Sequence, residues 1–213
     1  MLNIIIVGAG GFGREVYQWT KNMLIKKDVK IKGFLDPDNK ILNDYNFDVG
    51  ILGVEDTYKI SKNDRFIIGI GEIELKKKVV KKIKDKGGIF LTLIHKTSIV
   101  ASNVKIGEGV IICPFVTVSD SVILDDFAML NFYSSCGHDS KIGKYSILSP
   151  YSTTNGFVTL EDEVFLGTHS TVSAYRKIGY KSKVSANSVA MYDVPSHTFV
   201  YGVPGKNKTI FKN

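Results

Sequence analysis

The chain has 213 residues, 23% of them charged and 44% hydrophobic, with a formal net charge of +7. That length suits one large domain or two small ones. Two cysteines without metal-type spacing, Cys113 and Cys136, exclude a disulfide framework and favour a reducing compartment, the cytoplasm. No apolar run is long enough for a spanning helix, so membrane insertion is not expected.

The first residues, Met1-Leu2-Asn3-Ile4-Ile5-Ile6-Val7, carry no basic leader and read as a strand, not a signal peptide. The strand runs into Gly8-Ala9-Gly10-Gly11-Phe12-Gly13, and residues 14–19 continue with helical apolar spacing. Residues 31–36 form a second strand ending in Asp36; residues 65–71 and 89–94 read as later strands flanking a lysine-rich helix. In that helix Lys76, Lys77, Lys78, Lys81 and Lys82 interleave with Val79, Val80 and Ile83, the pattern of a solvated face. No aromatic residues punctuate it, so no nucleic-acid platform is expected. Strand, helix, strand order points to a small Rossmann-like α/β parallel sheet over residues 1–95. Its Gly8-x-Gly10-x-x-Gly13 turn presents N–H groups and a helix N-terminus to a pyrophosphate, and Asp36 is placed to accept from a ribose hydroxyl. So short a segment cannot build a full dinucleotide fold, so one nucleotide diphosphate is the expected occupant.

From Val100 to Ala190 every sixth residue is apolar except Thr154. Two positions earlier the residues are small or β-branched, such as Val110, Ser134 and Val158; one position later turn-tolerant residues dominate, such as Gly107, Asn131, Gly137 and Gly167. Each hexad therefore reads as a short flat strand followed by a bend at the glycine, asparagine or aspartate. Three strands make a triangular coil of eighteen residues, and coils stack as parallel strands do, about 4.8 Å apart. Residues eighteen apart then lie above one another. A parallel β-helix over residues 96–195 follows, with a tail over 196–213.

Of the four histidines, His138 lies just after a bend in Cys136-Gly137-His138-Asp139, with a carboxylate beside it to orient the ring and raise its basicity. Gly156 stacks one coil above it, because 138 plus 18 is 156, and a glycine there lets a ligand reach its N–H as an oxyanion donor. By the same rule Asn131, Ser149, Gly167 and Ser185 form a column of small residues suited to a thin pantetheine arm.

These hexads, with Asn131-Phe132-Tyr133-Ser134, Gly137-His138-Asp139, Thr154-Asn155-Gly156 and Leu166-Gly167, resemble the bacterial sugar-nucleotide acetyltransferases of the hexapeptide-repeat family. That group includes N-acetyltransferases for nucleotide-linked 4-amino-4,6-dideoxysugars and, more distantly, sialic acid O-acetyltransferases. The resemblance implies a left-handed β-helix, acetyl-CoA as co-substrate without a metal, and a homotrimer with sites between subunits. It also implies a nucleotide-linked amino sugar as acceptor and a role in surface glycan synthesis. Carried over by position, His138 is the general base, Asp139 its partner and Gly156 the oxyanion donor. Asn131, Ile147, Gly156, Gly167, Thr168, Ala186 and Lys206 of the tail fall at the acetyl-CoA site. Gly10, Gly11, Phe12, Asp36, Pro37 and Gly71 fall at the sugar-nucleotide site. Phe12, Ile147 and Ala186 replace residues found in part of the family. The runner-up is O-acetylation of a sugar hydroxyl, which needs the same base. A zinc-dependent γ-type carbonic anhydrase needs three converging histidines where the helix offers His138 and His169 unstacked; a non-catalytic module would tolerate change at His138.

Overall fold

A computed structural model describes residues 1–23 and 28–209. They form two compact units, Met1–Leu91 and Thr92–Asn213.

The first unit holds a three-stranded parallel sheet of β1 (Leu2–Val7), β2 (Val29–Leu35) and β3 (Asp64–Ile68) in the order β2-β1-β3. Helix α1 (Gly11–Met23) follows β1, and α2 (Ile73–Asp85) follows β3. Ile5, Ile6, Phe34 and Phe66 are fully buried, as the continuous apolar runs of a sheet covered on both faces require. Helix α2 is capped by Glu72, whose carboxylate accepts from Glu74 N–H at 3.0 Å and from Leu75 N–H. Its lysines are mostly solvated or paired: Lys81 meets Asp85 at 2.7 Å, and Lys82 meets Glu55 at 3.0 Å and Asp56 at 2.7 Å. Lys76 departs from the solvated-face expectation, being buried.

The expected strand over residues 89–94 divides. Phe90 makes a single bridge to Phe66, whereas β4 (Leu93–Ile94) pairs in parallel with Ile111–Ile112 and begins the second unit. One apolar run serves two cores, and alternation alone carries no mark of where the first ends.

In the second unit every rung is a two-residue strand paired eighteen residues along: Met129 with Ile147, Ser135 with Thr153, Lys141 with Thr159. Three parallel sheets result, extending from Leu93–Ile94, Ile99–Val100 and Lys105–Ile106. The every-sixth column is the core: Leu130, Ile142, Leu148, Leu160 and Leu166 are fully buried, and Ser134, Ser146 and Val158 share that interior two positions earlier. The tail continues the first sheet with Thr198–Tyr201 and folds back through Lys206–Thr209 as an antiparallel hairpin; its last four residues lie outside the described ones.

The corners correct the sequence reading. The residue with positive φ is not the glycine that follows each strand but the residue two further on, at every sixth position from Phe115 to Asn187. Eight of these are aromatic or histidine, for instance Phe115, Tyr133, Tyr151 and His169 with φ between 57° and 60°. A bulky residue there costs on the order of 1 kcal/mol or more. The corner offsets that cost by a hydrogen bond to the coil below, as from Tyr151 N–H to Phe132 O at 3.2 Å, and by ring stacking, Tyr133 on Tyr151 at 4.8 Å and 7°. The glycines serve packing: a Cβ at Gly137 would lie 2.4 Å from the Asn155 carbonyl carbon, and at Gly143 2.5 Å from that of Glu161.

Candidate functional site

The first unit carries a cavity of about 510 Å³ at the C-terminal ends of β1, β2 and β3. Gly10, Gly11, Phe12, Asp36, Pro37 and Gly71, all selected from the sequence, line it together. The glycines divide by role. A Cβ at Gly13 would sit 1.9 Å from Gly8 O, so that glycine lets α1 close on the turn. A Cβ at Gly10, Gly11 or Gly71 would meet nothing within 4 Å, so these three front open space. Asp36 braces the turn: Ala9 N–H donates to its Oδ2 at 2.8 Å and Asp38 N–H to its Oδ1 at 3.0 Å.

Glu55, Asp56 and Glu72 also line the cavity and were missed in the sequence, since the loop of residues 53–57 has no periodicity to reveal it. Among the described residues the lining holds no lysine or arginine. Anion binding in this cavity falls to main-chain N–H groups and the N-terminus of α1.

In the second unit His138, Asp139 and Gly156 share one corner, that between the second and third sheets. His138 Nδ1 lies 2.8 Å from Asp139 Oδ2, and the imidazole is 57% exposed. Asp139 turns outward beside its neighbour because it occupies the corner's left-handed position, with φ of 58°. Gly156 does more than the sequence suggested: a Cβ there would fall 2.7 Å from His138 Nε2, so the missing side chain makes room for the imidazole itself. The Gly156 nitrogen rests over Gly137 of the coil below, 2.5 Å from where a Cβ there would be. The Phe157 ring meets the imidazole edge-on, centroids 5.2 Å apart at 88°.

Apart from Gly156, the residues expected at the acetyl-CoA site do not join that corner. Asn131, Gly167, Thr168 and Ala186 stand at the preceding corner, between the first and second sheets, where Thr168 and Ala186 are exposed. Gly167 is closed off there by the next coil, with Ala186 N 2.5 Å from where its Cβ would be, and Ser149 is also buried. Within the small-residue column Gly167 and Ser149 are buried, while Asn131 and Ser185 are half-buried. Ile147 is 2% exposed in its strand, which leaves its side chain no face for a cofactor within one chain. Lys206 is exposed on the terminal hairpin.

Two buried groups titrate far from their usual range without facing either region. Complete burial pushes the Cys136 thiol up to about 12. Burial raises Asp64, but hydrogen bonds from Ser61, Asn3 and Tyr58 outweigh it and hold the carboxyl at about 2. His138 and His169 occupy different corners, and among the described residues no three His, Cys, Asp or Glu side chains converge as a metal site. No helix among the described residues is long and apolar enough to cross a membrane.

A small parallel sheet with a cavity at its strand ends, followed by a hexapeptide-repeat coil, is the fold of the left-handed β-helix acetyltransferases. Residues 3–83 match the model of the PglD N-terminal domain family. GDP-perosamine N-acetyltransferase of Escherichia coli O157:H7 is 34% identical over 74 residues, 35% of this chain; the match spans only about a third, 34%, of that relative's length. PerB from Caulobacter crescentus, solved with CoA and GDP-perosamine, superposes with a TM-score of 0.87 at 26% identity, covering 97% of each chain. WeeI from Acinetobacter baumannii AYE gives 0.85 at 25% identity, covering 98% of this chain and 100% of the other. The resemblance to hexapeptide-repeat sugar-nucleotide acetyltransferases thus runs along nearly the whole chain.

Proposed function

We propose that the protein is an acetyl-CoA-dependent N-acetyltransferase acting on the amino group of a nucleotide-linked 4-amino-4,6-dideoxysugar. The observation that carries this reading is His138 at the β-helix corner, oriented by Asp139 and seated over Gly156. The full-length similarity to PerB, solved with CoA and GDP-perosamine, supports the choice of both substrates.

The nucleotide lies in the cavity of the first unit, its diphosphate against the N–H groups of Gly10, Gly11 and Phe12. Asp36 keeps lone pairs for a ribose hydroxyl beyond the two N–H bonds it accepts. The acceptor amine attacks the thioester carbonyl directly. His138 Nε2 takes the amine proton, Asp139 stabilises the imidazolium through Nδ1, and Gly156 N–H donates to the oxyanion as the thiolate of CoA leaves. The base contributes on the order of 10²–10⁴ in rate.

The catalytic corner and the corner bearing Asn131, Thr168 and Ala186 are separate on one chain, so a second copy supplies the cofactor-binding corner. A homotrimer with three such junctions closes this arrangement. Cytoplasmic placement agrees with two buried cysteines that are not in a disulfide.

The test is a free-thiol release assay with acetyl-CoA against a panel of 4-amino-sugar nucleotides and their 4-hydroxy counterparts. Release with the amino sugars alone is expected. Release with the hydroxy sugars alone makes it an O-acetyltransferase, and release with none overturns the assignment.

A further inference from the structure

We propose that Phe157 is a positioning residue for His138, holding the imidazole so that Nε2 stays over Gly156. The inference rests on the reading of His138 as the base. An exposed histidine on a corner pivots about two side-chain bonds, and one hydrogen bond from Nδ1 fixes its reach more than its tilt. The 57% exposure of this ring leaves little else to restrain it. Phe157 supplies the second restraint from the coil above, with ring centroids 5.2 Å apart and planes at 88°.

Phe157 is itself fixed. Its φ of 59° turns the side chain outward, its N–H donates to His138 O at 2.9 Å, and its ring stacks on Tyr175 at 4.8 Å and 6°. The other corners show what is particular here. There, where two successive left-handed positions are both aromatic, the rings stack parallel, as Tyr133 on Phe115 at 11° and Tyr145 on Phe127 at 8°. Below Phe157, eighteen residues back, that position holds Asp139. The ladder is interrupted by the carboxylate that binds Nδ1, and the imidazole packs against the remaining ring at a right angle. Asp139 and Phe157 thus grip one ring from two coils, while Gly156 leaves it room.

The experiment compares Phe157→Leu and Phe157→Tyr with wild type and with His138→Ala. In F157L, kcat falls about tenfold with KM for both substrates within twofold and an unchanged melting temperature, because a side chain loosened by an ångström loses rate before affinity. F157Y restores kcat to within twofold of wild type. If F157L lowers the melting temperature, Phe157→Met is read in its place with the same expectation. Wild-type kcat in F157L beside an inactive H138A overturns the positioning role, as does a loss confined to KM. An active H138A overturns the base itself, a different failure.

Discussion

The glycines that line the cavity of the first unit and those that follow the strands of the β-helix do different work. In the β-helix, Gly137, Gly143 and Gly167 are pressed against the next coil, and even Gly156 is occupied by the His138 ring. In the first unit, Gly10, Gly11 and Gly71 face space that the chain leaves empty. The same residue type therefore serves close packing in the β-helix and at Gly13, and open space at Gly10, Gly11 and Gly71. The repeated coil packs its glycines against neighbouring coils and carries the exposed His138–Asp139 pair on a corner, while the sheet leaves space in front of its glycine turn.

Adding one methyl group at a time breaks or sharpens this contrast. The largest effect is expected at Gly13: Gly13→Ala forces a 1.9 Å contact with Gly8 O and costs several kcal/mol, read as a lower melting temperature of the first unit. Gly156→Ala pushes on His138 Nε2, so kcat falls on the order of a hundredfold while the β-helix still melts as before. Gly10→Ala meets no atom of the chain, so stability stays within about 0.5 kcal/mol, while KM for the sugar nucleotide rises about tenfold. A clash-free Gly10→Ala without any change in KM would erase the distinction between the units.

The smallest effect is on acid stability. Asp64 titrates at about 2 in the fold, below its ordinary value, so it stabilises the first unit above the unfolded pKa. That contribution is lost as pH falls from about 4 towards 2. Asp64→Asn lowers stability at neutral pH and flattens the loss on acidification, as a denaturant titration at several pH values would show.

The coil was legible because a period of six repeated over many rungs leaves one geometry, and stepping by eighteen placed Gly156 on His138 without coordinates. The corners were not legible. Propensity assigns bends to glycine, yet here inter-coil hydrogen bonds and ring stacking override it and put Phe115, Tyr133 and Tyr151 in left-handed backbone. Phe157 was missed for that reason, although aromatics recurring at the left-handed position were there to be noticed. The separation of Asn131 and Thr168 from His138 was readable, since with three hexads to a turn only positions a multiple of three hexads apart share a corner, and these stand about one and five hexads away. Glu55 and Asp56 lie in a loop tied to Lys82 of α2 and to Lys86 just beyond it, a long-range tie that local pattern does not carry.

The central claim is that His138 takes the proton from the acceptor amine. Steady-state turnover of His138→Ala, with acetyl-CoA and the best amino-sugar nucleotide, tests it most directly. The account predicts a fall of kcat on the order of a thousandfold, with acetyl-CoA binding and the melting temperature retained. Turnover within tenfold of wild type would contradict it.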